Sequence, residues 1–310
     1  MDFHQSNSDT PQRSSSERSS SRPVEPESED PLAQLAKEVK QQPFTTSDNL
    51  QKSLESRQQA LHQDQTRDQY LVFSSVPPVQ SFRLSDDRSR TSKYCRFFFN
   101  AQTGTLIARV MPNLAHEFAI RSFESLIFLE LRALNVHRAV RSFGSTTVTV
   151  RNWTNEADCC WAPASTNARL NFVVEVGLSE SARQLALDAR SWLETSSVEL
   201  VVTISIKREK PEIILHRWEL APPGHGIRTM SSSLSTRCTV FVKLFCRNNT
   251  THVTGESYLN GTTTTITQLD LPFDKIVGRP PHQSPERDLV IPEQELRTFA
   301  EDIWCEQGLL

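Results

Sequence analysis

Two stretches constrain this chain more than any others: LNFVVEVG at 170–177 and VELVVTISI at 198–206. Both are apolar almost throughout and short, so each reads as a buried strand. Between them, a helix opens at Ser179, Glu180 and Ser181 and runs to Glu194. Ser181 with Gln184 fits a capping box, and Ala182, Leu185, Ala189, Trp192 and Leu193 line one side. A buried strand, an amphipathic helix and a second buried strand predict an α/β core.

Other elements extend this core. KYCRFFFN (93–100) and TLIARV (105–110), joined by the turn-like AQTG, signal a hairpin. After Pro112, with Asn113 as N-cap, Leu114, Phe118, Phe123, Leu126, Ile127, Leu131 and Leu134 recur at helical spacing. STTVTVRNW (145–153) alternates as one strand, IILHRWEL (213–220) reads as another, and CTVFVKLFC (238–246) pairs with GTTTTITQL (261–269). Residues 277–288 form a loop. A terminal helix over 292–308 gathers Leu296, Phe299, Ala300, Ile303 and Trp304 on one face.

The first 30 residues are rich in serine, proline and charge. They offer too little apolar surface to offset chain entropy. Residues 47–68 show only a thin apolar face at Leu50, Leu54 and Leu61, which suits a marginal helix. The expected organisation is therefore a disordered tail over 1–68 and a single α/β domain over 69–310. With 34 Lys and Arg against 37 Asp and Glu, the chain is not a globally basic nucleic-acid binder, although a local basic groove is compatible with that balance. Nine glycines argue against a Gly-rich nucleotide-binding design. No apolar run reaches the roughly 20 residues of a membrane helix, and the N-terminus lacks the apolar core of a secretory signal. The expected location is intracellular, cytoplasmic or nuclear, without membrane insertion or secretion. None of the six cysteines forms a CxxC pair, so neither a zinc knuckle nor a disulfide framework is expected.

The chemistry concentrates in three acids. Glu175 interrupts an apolar strand, where a carboxylate is costly unless paired, protonated or bound to a cation. Asp158 follows the preceding strand within NEADCCW, at a separation that suits neighbouring strands joined by a loop. Glu117 lies early in the long helix. Asp158 and Glu175 brought together, with the Val176 carbonyl, form an oxygen-rich set for Mg²⁺ or Mn²⁺. Such a metal activates water and stabilises charge on a phosphate oxygen. Each acid also has a plainer role. Glu175 can pair with Arg183 or Arg190, Asp158 can organise a turn near Asn155, and Glu117 can pair with Arg121. His116 shares no helix face with Glu117. Adjacent Cys159 and Cys160 suit packing, and the run 207–210 (KREK) suits a solvated turn or a phosphate contact.

Helix-borne Glu, then Asp, then Glu at the end of a buried strand followed by a helix resembles the PD-(D/E)XK nuclease superfamily. The strings GSTTVTV, NEADCCWAP, FVVEVGLSES, LALDARSWL and PEQELRTFAEDIWCEQG are similar to a fungal family of uncharacterised proteins linked to that restriction-endonuclease-like fold. The resemblance spans roughly residues 70–308. It implies a mixed central sheet flanked by helices, with the hairpin before it and an extension after it. It also implies Mg²⁺-dependent cleavage of DNA or RNA, with Asp158 and Glu175 as metal-binding acids and Glu117 as the supporting helix acid. Gly177 stands where the superfamily places lysine. Arg183, Gln184 and Arg190 on the next helix are the candidates to replace it, and arginine cannot act as a base at neutral pH. The alternative is a non-catalytic binding or adaptor protein that keeps the fold. An open cleft between Asp158 and Glu175 favours the enzyme; a buried Glu175 capped by arginine favours the alternative.

Overall fold

The computed structural model describes residues 30–63, 65–86, 95–111, 114–150, 152–165, 169–178, 182–221, 235–259 and 261–310. Helix α1 (Pro31–Glu38), strand β1 (Gln41–Pro43), helix α2 (Ser47–His62), strand β2 (Tyr70–Ser74) and helix α3 (Pro78–Asp86) come first. The hairpin β3 (Cys95–Asn100) and β4 (Thr105–Val110) then leads to helix α4 (Leu114–Ala133). Four short strands follow: β5 (Val140–Gly144), β6 (Thr147–Val150), β7 (Trp153–Glu156) and β8 (Cys159–Pro163). The unit β9 (Phe172–Leu178), α5 (Ala182–Thr195), β10 (Leu200–Ile206) comes next. The chain continues through β11 (Glu212–Leu220), β12 (Thr236–Arg247), β13 (Thr250–Leu259), β14 (Thr262–Ile266) and β15 (Leu269–Leu271). It closes with helix α6 (Phe273–Val277), strand β16 (Leu289–Ile291) and helix α7 (Glu293–Glu306).

The strands form a six-stranded sheet, β1-β2-β4-β3-β7-β6, and an eight-stranded sheet, β14-β13-β12-β11-β10-β9-β8-β5, with β15 and β16 paired apart. The parallel pairs are β9 with β10, as their connection through α5 requires, and β1 with β2. The expected α/β class therefore holds, as a mixed arrangement with helices on the sheet faces.

Side-chain alternation explains the layers. On β3 and β4, Phe97, Phe99, Leu106, Ala108 and Val110 face one way and pack with Leu50, Leu54 and Leu61 of α2. The opposite face carries Tyr70, Val72, Phe98 and Ile107, which meet Leu32, Leu35 and Ala36 of α1 and Leu187 of α5. One face of the larger sheet packs on α4, α6 and α7; the other packs on α5. The smaller sheet thus leans on α5, and α5 leans on the larger sheet.

Several sequence expectations change. Residues 31–62 fall within the expected tail, yet they form α1, β1 and α2. Three leucines are too few to hold α2 as an isolated helix, but all three are buried by the aromatic face of β3 and β4. Asp30 caps α1 through bonds from the Leu32 and Ala33 amides (3.0 and 3.2 Å) and accepts the Trp153 indole N–H (2.9 Å). The single strand expected over 145–153 covers β6 and only the first residue of β7, which folds back as its antiparallel partner through Glu156. The partner of β12 is β13, and the Thr-rich β14 pairs with β13 instead. The expected cap at Asn113 and capping box at Ser181 lie outside the described residues. All six cysteines are free thiols, three of them buried. Among the described residues, no helix is long and apolar enough to cross a membrane.

Candidate functional site: a buried arginine among three carboxylates

Alternation on β4 turns Arg109 to the same side as Ile107, toward α5 and β9. Its side chain is completely buried. One terminal nitrogen donates to Asp158 Oδ2 (2.6 Å) and to the Val176 carbonyl (2.7 Å). The other donates to Glu175 Oε2 and Asp188 Oδ2, both at 3.1 Å. A planar fork with donors on two nitrogens is the side chain suited to four acceptors at once.

The acids arrive from different elements. Register between β8 and β9 pairs Cys159 with Val174, which sets Asp158 beside Glu175 one step further on. Asp188 and Trp192 share a face of α5 by their spacing of four. Trp192 donates its indole N–H to Glu175 Oε1 (2.8 Å), and Tyr70 of β2 donates its hydroxyl to Asp188 Oδ2 (3.2 Å). His116 of α4 donates from Nε2 to the Val176 carbonyl (2.8 Å) and lies 3.4 Å from Asp158 Oδ2. Arg96 of β3 fans outward: Nε is 3.3 Å from Asp158 Oδ1, and its terminal nitrogens lie 3.8 Å from Glu156 and from Glu117.

Backbone needs explain part of this arrangement. Pairing of β8 with β9 stops at Val174, which leaves that edge of β9 without a strand beyond it. Asp158 Oδ2 accepts the Val176 N–H (2.8 Å), Arg109 and His116 serve the Val176 carbonyl, and Gln69 donates to the Leu178 carbonyl (2.8 Å). Side chains thus replace the missing strand, so that buried peptide groups keep partners.

The electrostatics split the two central acids. Burial pushes the Asp158 carboxyl up, but Arg109, then His116 and Arg96, more than offset it and hold it well below the ordinary aspartate range. Burial, with the Asp158 carboxylate next to it, pushes Glu175 well above the ordinary glutamate range, against the opposing pull of Arg109. A raised folded value means that Glu175 contributes stability fully below its unfolded value of 4.5, and that this contribution is lost as pH rises toward the folded value. Wild type should therefore lose stability relative to Glu175→Gln as pH rises above 4.5, by up to about 1.4 kcal/mol per pH unit. Asp158 acts with the opposite sign: its contribution is present above 3.8 and is lost as pH falls below that value. Urea titrations across the acid range check both arms. A wild-type-to-variant difference that stays flat with pH would contradict the Glu175 assignment.

The expected residues are distributed unequally. Asp158, Glu175 and Val176 converge on one guanidinium. Glu117 stands at the rim, partly exposed, and Arg121 pairs with Glu124 (2.9 Å) rather than with it. Gln184 is half-buried one turn before Asp188, on the same helical face. Arg183 pairs with Glu38 (2.7 Å) and Arg190 with Glu194 (2.8 Å). Cys159 and Cys160 are packed in opposite apolar clusters, as residues alternating on a strand must be. Arg109, Arg96 and Asp188 were not singled out from the sequence, and Trp192 was read there only as part of the apolar side of its helix. The signal for both arginines was present, since each is a charge inside an apolar strand, just as Glu175 is.

This set does not suit a resident divalent ion. Arg109 already bonds all three expected ligands, and a dication between them would meet a fixed positive charge in a low-dielectric interior. Among the described residues, no group of three or more His, Cys, Asp and Glu side chains is arranged to hold a metal.

Fold and site together define a mixed α/β protein built around a buried arginine–carboxylate centre. No protein-family model matches the sequence, and no curated protein matches it. The chain has a distant structural likeness to a candidate nuclease belonging to DUF820 from Anabaena variabilis ATCC 29413, at 12% identity and a TM-score of 0.30, covering 41% of this chain and 81% of that one.

Proposed function

We propose that this chain is a non-catalytic binding protein that keeps a restriction-endonuclease-like core, in which Arg109 supplies the positive charge that a divalent cation supplies in an active nuclease. The observation that carries this reading is the guanidinium seated between Asp158, Glu175 and the Val176 carbonyl, wholly shielded from water. A metal-dependent phosphodiesterase needs open coordination positions for water and substrate. Here Asp158 Oδ2 is taken by Arg109 and the Val176 amide, and Oδ1 faces the Arg96 guanidinium at 3.3 Å as an ion pair. Glu175, raised in pKa, is a poor ligand, because metals take the deprotonated form. Gly177 leaves the superfamily's lysine position without a side chain. On this reading the domain recognises DNA, RNA or protein through its surface, and the buried centre holds the two sheets in register.

The competing reading, a weak Mg²⁺- or Mn²⁺-dependent nuclease, draws on the convergence of Asp158, Glu175 and Val176 and on Gln184 lying above Asp188. Calorimetry on the full chain separates the two readings. The expected result is no site-specific binding of Mg²⁺ or Mn²⁺ at millimolar concentration and no cleavage of DNA or RNA. Stoichiometric binding that Asp158→Asn abolishes, with metal-dependent cleavage, would establish the enzyme.

A further inference from the structure

A second polar feature lies apart from the Arg109 centre and shares no residue with it. Arg67, Lys207, Arg208, Glu209 and Lys210 line a hollow of about 380 Å³. Four cations and one carboxylate line it, on a chain whose overall charge is -3, and Lys210 also pairs with Glu212 (3.2 Å) beside it. Arg67 comes from the connection between α2 and β2; the others come from the turn between β10 and β11.

The turn is pinned on several sides. The Lys207 amide donates to the Glu212 carbonyl (3.0 Å), and the Glu212 amide donates to the Lys210 carbonyl (2.7 Å). Gln307, just beyond α7, donates to the Lys207 carbonyl (3.1 Å). Arg208 donates to the Leu61 carbonyl (2.9 Å) at the C-terminal end of α2, where a cation also complements the helix dipole. The backbone of the turn and the Arg208 guanidinium are therefore held in place before any ligand arrives.

Two details point to an anion. Lys207 is half-buried, and its ammonium makes no ion pair or hydrogen bond among the described residues. Glu209, which also lines the hollow, pairs with Arg67, and an incoming anion would compete with it there. We propose that this hollow binds a compact, multiply charged phosphate ligand, such as the di- or triphosphate group of a small molecule. Convergence on one hollow, rather than a stripe along the surface, favours adjacent phosphates over an extended nucleic-acid backbone. Glu209 is the built-in competitor that such a ligand displaces from Arg67. This site is independent of the reading given to Arg109.

The test uses the full chain and inorganic triphosphate, with single-stranded DNA as a comparison, by calorimetry at low and physiological salt. Triphosphate should bind, and more weakly as salt rises. Lys207→Gln with Lys210→Gln should weaken it by at least about tenfold. Glu209→Gln should tighten it by about threefold or more, which loss of fold would not produce. These residues are exposed or half-buried, and matching melting temperatures would confirm that the variants are folded. Absence of triphosphate binding at millimolar concentration overturns the proposal, and so does binding that ignores all three substitutions. DNA bound more tightly than triphosphate, and lost in the same lysine variants, would replace it with a nucleic-acid backbone site.

Discussion

Arg109→Met should destabilise the folded chain by about 3–5 kcal/mol, a large part of the roughly 5–15 kcal/mol that typically separates folded from unfolded domains. Methionine fills similar length but leaves Asp158, Glu175 and Asp188 facing one another without their shared donor. It also strips a donor from the Val176 carbonyl. Arg109→Lys should recover only part of the loss, because one ammonium cannot reproduce the planar fork. Combining Arg109→Met with Asp158→Asn should cost less than the separate effects added together, since the second change removes the charge that the first leaves stranded. Urea denaturation measures each case. An unchanged midpoint in Arg109→Met would show that the centre carries no weight in stability.

Truncation after Ile291 should have a still larger effect. Helix α7 buries Leu296, Phe299, Ala300, Ile303 and Trp304 against α4, β12 and β13, and Phe299 meets the Phe123 ring edge-on at 6.0 Å. At about 1.5–3 kcal/mol for each large apolar side chain, the helix contributes on the order of 10 kcal/mol. Without it, the face of α4 bearing Phe123 and Ile127 is open to water. The truncated chain should associate or fail to accumulate as a monomer, as light scattering after size exclusion would show. A monodisperse truncated monomer with the wild-type melting temperature would make the helix dispensable.

The parts of the fold with strong periodicity could be read from sequence. The β3–β4 hairpin, α4, the β9–α5–β10 unit and the apolar stripe of α7 each declare themselves by spacing alone. Strands β5, β8 and β13 did not, because they are short or rich in polar residues and are held by neighbours in the sheet. The alternating segment 145–153 holds β6 but ends at the first residue of β7, whose remaining residues, Thr154, Asn155 and Glu156, are polar and carry no strand signal of their own. Helix α1 was missed and α2 was read only as marginal for a related reason: their small apolar faces become sufficient only against aromatic strands distant in sequence. At the site, the cost of a carboxylate in an apolar strand pointed to Glu175, and chain order pointed to Asp158. Which cation answers them was not legible. Arg109 belongs to another sheet, and nothing local to TLIARV says where its side chain ends.

The position of Arg109 also bears on how the chain reaches this structure. Its acidic partners lie 49, 66 and 79 residues further along the sequence. During synthesis the β3–β4 hairpin emerges well before any of them. Until Asp188 leaves the ribosome, the arginine has no closed environment to enter, and the inner face of the hairpin stays wet. The smaller sheet therefore cannot mature as an independent N-terminal unit. Its completion waits for α5, the helix against which both sheets pack.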